Sequence, residues 1–321
     1  MEKRWTRVVM ASLAATFTLC AQAAWPEKPV KLVVPYASGG AADALARVVA
    51  TELGIRLKQQ VVVENKGGGG GTIGAQAVAQ APADGYTFLY DATSFAVNPS
   101  LFPKLTFNYT KDFSPIAMVA RIPTLLVVSA TSPVNSVADL VRLARSNPGK
   151  LSYASAGNGG AAHLSGELFK QGHRIDILHV SYKGGAPALT DLAGGQVDMM
   201  FSAVTTSGPL VKAGRLKAIA TAFDKRIESM PDLPTVAEAG LPGFSAYEWN
   251  AIFAPTGTPA DVVSRMETEM RDVLSAPSVR ERLSAMGALP ATGGAKELGT
   301  FVQAESAKWA AVIKAARIKL D

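Results

Sequence analysis

Along the chain, short apolar runs bounded by glycine or proline alternate with longer stretches whose apolar residues recur every three or four positions. The first pattern predicts buried strands and the second amphipathic helices, so their alternation predicts an α/β fold built on parallel strands. Lys31–Pro35, Gln60–Glu64, Tyr86–Tyr90, Thr124–Ser129, Leu151–Ser155, Ile175–Ser181, Val197–Phe201, Leu216–Ala222 and Trp249–Ala254 read as strands. From Ala41, the residues Leu45, Val48, Val49 and Leu53 share one helical face. Further helices are predicted after the glycine run to Ala81, from Ser136 to about Ser146, through Leu164, Leu168 and Phe169, and from Pro187 to Gly194. Two amphipathic helices run from about Pro259 to Leu274 and from about Ala295 to Ala316, whereas Pro231–Gly243 reads as irregular.

The strand-to-helix turns carry the candidate chemistry. In Lys31–Asp43 the turn is Tyr36, Ala37, Ser38, Gly39 and Gly40. Such a turn leaves backbone N–H groups at a helix start, where the helix dipole also favours negative charge. Glycine lets an anion approach the backbone closely, so this stretch, Asp43 included, is expected to hold a carboxylate. A second strand leads into Gly67–Gly71 and Thr72, placing Gly70, Gly71 and Thr72 in an equivalent turn. Asp91, Thr93 and Ser94 follow the third strand at its carboxyl end, where loops line the ligand crevice of an open α/β sheet. Ser155 ends a later strand and is followed by Gly157, Asn158 and His163 at another glycine-rich helix start, and Tyr182, Lys183 and Gly184 open the next. Glycine turns thus cluster in two regions. They predict two lobes whose strand ends face one another across a cleft.

Composition and charge narrow the setting. The chain has 321 residues, 48% of them hydrophobic and 18% charged, enough for a sizeable core. Lys3, Arg4 and Arg7, the apolar Val8–Leu19 and the small residues Ala21–Ala24 have the layout of a secretory signal peptide, so export to the periplasm is expected. Cleavage after Ala23 or Ala24 would remove Cys20, the sole cysteine. The formal charge of +6 falls by the net +2 of residues 1–24 to +4. That mild positive balance suits a small anion, and without basic runs or basic-aromatic interleaving no nucleic-acid partner is expected. No internal stretch is long and apolar enough to span a membrane.

Other chemistries fit less well. Gly69-x-Gly71-x-x-Gly74 with Asp91 resembles a dinucleotide fingerprint, but it stands alone, follows extra glycines and lies in an exported chain. There is no G-x-S-x-G elbow, and His163, His173 and His179 lack metal-ligand spacing. The nine methionines read as core filler. No enzyme activity, cofactor or metal is expected.

The segments VVPYASGGAAD, GGTIGA, NPSLFPKLTFNYTKDFSPI, YKGGAPALTDLAGGQVDMMF and LPTVAEAGLPGF add a resemblance. They are strongly similar to the substrate-binding proteins of tripartite tricarboxylate transporters, a family first known as Bordetella uptake gene products. The resemblance covers nearly the whole chain after residue 24. It implies a two-lobed type II periplasmic binding protein fold, with residues 25–124 and 249–321 forming a discontinuous first domain and 125–248 the second. It also implies that a monomer captures a mono-, di- or aromatic carboxylate and passes it to membrane transporter subunits. In such proteins two loops of the first domain, matching Tyr36–Gly40 and Gly69–Thr72, hold a carboxylate with the help of ordered water. Loops matching Ala156–His163 and Tyr182–Gly184 close from the second domain. Relatives often carry an aspartate where this chain has Ser202 and Ala203, a difference that disfavours an amine-bearing ligand, although Asp91 could serve instead. A periplasmic sensor module feeding a signalling receptor would share the same site.

Overall fold

The computed structural model describes residues 25–320; the expected signal segment, Cys20 and Asp321 lie outside the described residues. The first lobe opens with β1 (Val30–Val34), α1 (Ala41–Leu57), β2 (Val61–Asn65), α2 (Thr72–Ala79), β3 (Thr87–Ala92), α3 (Ser94–Leu101) and β4 (Phe113–Ile122). The second holds β5 (Thr124–Ser129), α4 (Val137–Ser146), β6 (Ser152–Ser155), α5 (Ala161–His173), β7 (Leu178–Ser181), α6 (Gly185–Ala193), β8 (Met199–Ala203), α7 (Val204–Lys212) and β9 (Leu216–Thr221). The chain then returns through β10 (Glu248–Pro255), α8 (Ala260–Ser275), α9 (Pro277–Ala285), β11 (Leu289–Pro290) and α10 (Ala295–Ala316).

Two mixed sheets result, in the order β11-β4-β10-β3-β1-β2 and β7-β6-β8-β5-β9. β1 runs parallel to β2 and β3, as its unbroken valine-rich run predicts. β10 is antiparallel to both β3 and β4, and β5 is antiparallel to β8 and β9. The parallel pairing expected of the strand–turn–helix units holds for β1 with β2 and β3 and for β6 with β7 and β8, whereas the strands next to the two lobe crossings pair antiparallel. Pro123 carries the chain from β4 directly into β5, and residues 222–247 bring it back to β10.

Five elements lie outside the sequence expectation: β4, α3, α7, α9 and the two-residue β11. Pro115 interrupts the apolar run of β4, and Pro99 and Pro209 sit inside α3 and α7. Proline removes a backbone donor and weakens both helix and strand signatures, yet packing overrides it here. The short α9 has too few buried positions, Val279 and Leu283, to stand out by periodicity. Conversely, the strand expected at Ile175–Ser181 begins only at Leu178; the buried Ile175 and Ile177 anchor the segment ahead of it.

The core explains why the strand ends are held firmly. On α1, Leu45, Val48, Val49 and Leu53 are all buried, each worth about 1.5–3 kcal/mol when removed from water. Ser136 caps α4 by accepting from the Asp139 N–H, as its position before the apolar pattern predicts. α10 packs on α3 of the first lobe and α5 of the second, so it joins the lobes behind the crossing strands. Its Trp309 is fully buried and donates to Glu305 at 2.8 Å.

Candidate functional site

A cleft of about 960 Å³ opens between the lobes. One wall is the turn after β1. Gly40 takes an extended backbone (φ −78°, ψ 168°) and offers no side chain to cap α1. The N–H groups of Ala37, Ser38, Gly40, Ala41 and Ala42 have no acceptor among the described residues. Gly39 is the exception, donating to Asp43 Oδ2 at 2.9 Å. Asp43 lies under the turn, buried, and also accepts from Arg47 and from Asn65 Nδ2 at 3.0 Å. Asn65 in turn donates to the Tyr36 carbonyl at 3.2 Å. Burial alone would raise the Asp43 pKa, but the donors Arg47, Gly39 and Asn65 together hold it below the usual carboxylate range. The carboxylate is thus a fixed ionised brace for the turn, in favourable relation to the start of α1.

The second wall is the glycine run after β2. Gly68, Gly69, Gly70 and Gly71 all have positive φ, from 56° to 124°, which explains why side chains are missing there. The N–H groups of Gly67, Gly68, Gly69 and Gly70 are free of protein acceptors among the described residues, whereas those of Gly71 and Thr72 turn inward to the Gly68 and Gly69 carbonyls. Asn98 holds the run from below, donating to the Gly70 carbonyl at 2.9 Å and to Tyr109 at 3.0 Å. At Gly74 a Cβ would meet Pro35 and the Lys66 carbonyl at 2.7–2.8 Å, so only glycine lets α2 dock this closely on the end of β1.

Between the walls lies a buried acid. Asp91 Oδ1 accepts from the Tyr36 hydroxyl at 2.5 Å, from Ser94 Oγ at 2.8 Å and from the Ala92 N–H at 2.7 Å. Its other oxygen, Oδ2, is buried without a partner among the described residues. Burial outweighs the three donors and lifts the Asp91 pKa to about 6. The same burial, with Asp91 alongside, raises the Tyr36 hydroxyl well above its ordinary value, so Tyr36 is a donor at any working pH.

The second lobe brings Asn158, Gly159, Gly160 and Ala161 to the cleft. Their turn is held by His163, whose Nδ1 accepts from the Gly159 N–H at 3.0 Å. His163 stacks on His179 with ring centroids 3.7 Å apart, and His179 Nε2 meets Ser155 Oγ at 2.7 Å. Burial and the neighbouring His179 lower the His163 pKa to about 4, which keeps the ring neutral and able to accept.

Of the residues expected from sequence, Tyr36, Ala37, Ser38, Gly40, Gly70, Gly71, Thr93, Ser94 and Asn158 line the cleft. Gly39, Asp43, Asp91, Ser155 and His163 stand behind it as braces, and Thr72 closes the glycine run by donating to the Gly69 carbonyl. Gly157 accepts from Ser155 in the second-lobe turn. Tyr182 instead donates to Asp191, beside the exposed Lys183 and half-buried Gly184, and Ala203 is covered by the first-lobe core. His173 is buried against Phe169, away from the cleft. The cleft also includes Asn65, Asn98, Glu248 and Asn250, which were not anticipated. For the last two the available signal was alternation about Trp249 at the start of a strand. The dinucleotide reading loses its anchor, because Asp91 is fully buried, does not line the cleft, and gives its Oδ1 to Tyr36, Ser94 and its own loop.

Comparison with known proteins gives a consistent picture. Residues 45–318 match the model of the tripartite tricarboxylate transporter family receptor. A protein encoded in the tcbD-tcbE intergenic region of Pseudomonas sp. (strain P51) is 38% identical over 98% of this chain and 96% of its own length. Among solved structures, R. palustris Rpa4515 with adipate is 39% identical, with a TM-score of 0.81 over 92% of this chain and 99% of that one. MatC from Rhodopseudomonas palustris with bound malate is 34% identical, with a TM-score of 0.75 over 90% of this chain and 100% of that one.

Proposed function

The chain belongs to the tripartite tricarboxylate transporter receptor family, and from that premise we propose that it captures a small organic carboxylate in the interlobe cleft and delivers it to the membrane subunits of such a transporter. It is a binding protein and not an enzyme. The observation that carries the reading is the double set of backbone N–H groups without acceptors among the described residues, at Ala37, Ser38, Gly40, Ala41 and Ala42 and at Gly67, Gly68 and Gly70, on residues that line one cleft. Helix starts and glycine turns recognise an anion and give little to a neutral sugar. Adipate and malate in two relatives support the same ligand class. In this reading the protein works in the periplasm after loss of residues 1–24, and its domains are residues 25–124 with 249–321, and residues 125–248. The antiparallel β10 and the Pro123 crossing are the natural hinge for closure.

Calorimetry against mono- and dicarboxylates and neutral sugars tests this reading. Gly40→Val sharpens it, because Gly40 lines the cleft with a backbone that valine tolerates, so strain does not confound the result. The folded variant is expected to lose about 1–3 kcal/mol of carboxylate affinity. Sugar binding with failure of every acid, or full affinity in Gly40→Val, contradicts it.

A further inference from the structure

Trp249 is fully buried, so its neighbours on β10, Glu248 and Asn250, turn to the opposite face and into the cleft. Glu248 opposes Ile122, next to the crossing between lobes, and Asn250 opposes Ala92 beside the Tyr36–Asp91–Ser94 cluster. β10 is separated from β1 by β3 alone, which places it two strand spacings, about 10 Å, from the strand that leads into the first glycine turn. Glu248 has no ion-pair or side-chain hydrogen-bond partner among the described residues; burial raises its pKa and nothing opposes the rise. Asn250 is 2% exposed, and its Oδ1 is buried without a partner among the described residues. Among the described residues no lysine or arginine lines the cleft, and Glu248 is the one acid that does. Val97, Leu101, Phe102 and Ile122 make the remaining surface apolar.

These groups ask for a ligand with two unlike ends. A dianion would place its second carboxylate against Glu248 with no cation at hand, and like charges in a desolvated site disfavour one another. An ammonium there would satisfy Glu248 and also donate to Asn250. We propose that the cleft selects a carboxylic acid whose far end is a cationic amine several bonds away, with Glu248 reading the amine and the apolar wall taking the connecting carbons. This rests on the glycine loops holding the carboxylate. An α-amino acid, with both groups on one carbon, is too short to span from the loops to β10. The missing acid at Ser202 and Ala203 argued against an amine; Glu248 supplies one from the first lobe instead.

Calorimetry at about pH 7.5 with matched n-alkanoates, ω-aminoalkanoates and α,ω-dicarboxylates of about four to eight carbons tests the assignment. The best ω-aminoalkanoate is expected to bind at least about tenfold more tightly than the alkanoate or dicarboxylate of equal length. Glu248→Gln, checked for folding by circular dichroism, should cost that ligand about tenfold and leave the alkanoate within about threefold. Dicarboxylates binding most tightly, with an order unchanged in Glu248→Gln, would overturn the inference and leave the carboxylate reading standing. Binding of the n-alkylamines but of none of the acids would overturn the carboxylate reading itself. Failure of all three acid series and of n-alkylamines of the same lengths, titrated as a control, would overturn the assigned length and class together.

Discussion

Ser38–Asp43 and Asn158–His163 are the same turn used twice. The first reads SGGAAD and the second NGGAAH, and each sits between a strand and a helix facing the cleft. Gly40 and Gly160 share a backbone conformation (φ −78° and −73°, ψ 168° in both). In each, the preceding glycine N–H donates to the side chain four residues on: Gly39 to Asp43 at 2.9 Å, Gly159 to His163 at 3.0 Å. What differs is the acceptor. Asp43 is ionised, tied to Arg47 and Asn65, and joined through them to β2. His163 accepts only while neutral, and its support is a second imidazole stacked on it. The first turn is therefore braced across the working pH range, and the second is braced conditionally. A closing clamp would divide the work in this way, with one jaw preformed and the other able to yield.

Removing the two acceptors gives the largest expected effects and tests the asymmetry. Asp43→Ala strands the Gly39 N–H and an Asn65 amide donor and frees the half-exposed Arg47, and should cost about 2–3 kcal/mol of stability, mostly from the unpaired donors. His163→Ala strands the Gly159 N–H alone and should cost about 1–2 kcal/mol. Urea denaturation compares them, and equal losses would erase the distinction between the jaws.

The next effect depends on pH. The His163 pKa is about 4 in the folded protein and about 6.5 when unfolded, so its contribution is full above about pH 6.5 and is lost as pH falls toward 4. Asp91, raised to about 6 from an ordinary 3.8, has the opposite sign: it favours the folded state as pH falls through that window. The two offset in the whole protein, so the comparison has to be with His163→Asn, which keeps an acceptor that does not titrate. The stability of the wild type relative to this variant is expected to fall by about 2 kcal/mol between pH 7 and pH 4.5. A constant difference would mean that His163 does not brace its turn as a neutral acceptor.

The smallest effect is expected at Lys183, which is exposed on a loop that does not line the cleft. Lys183→Ala should leave carboxylate affinity within about twofold, since exposed charge is well screened. A tenfold loss would show that the second jaw closes farther than its present position and brings a cation to the ligand.

The glycine turns and the strands leading into them were legible because valine-rich runs and glycine clusters are local signals. The brace residues were only partly so. Asp43 and His163 stood out in position, but nothing in the sequence said that they point back under their turns. The inward amides of Gly71 and Thr72, and the outward ones of Gly67–Gly70, follow from four successive positive φ values that no propensity specifies. Asn250 was hidden in a run read as simply apolar and Glu248 lay just ahead of it; their direction is set by the burial of Trp249, a tertiary fact. Tyr182–Gly184 resembles the other turns locally, but the lie of the second lobe leaves it off the cleft.

The central claim is that backbone N–H groups of the first lobe hold the carboxylate, and amide NMR reads those groups directly. Titration with a carboxylate that binds by calorimetry should shift the amide protons of Ser38, Gly40, Ala41, Gly69 and Gly70 downfield, as new acceptors reach them, and the matching alcohol should leave them unmoved. Saturable carboxylate binding with those five amides unchanged, and shifts confined to the second lobe, would contradict the account.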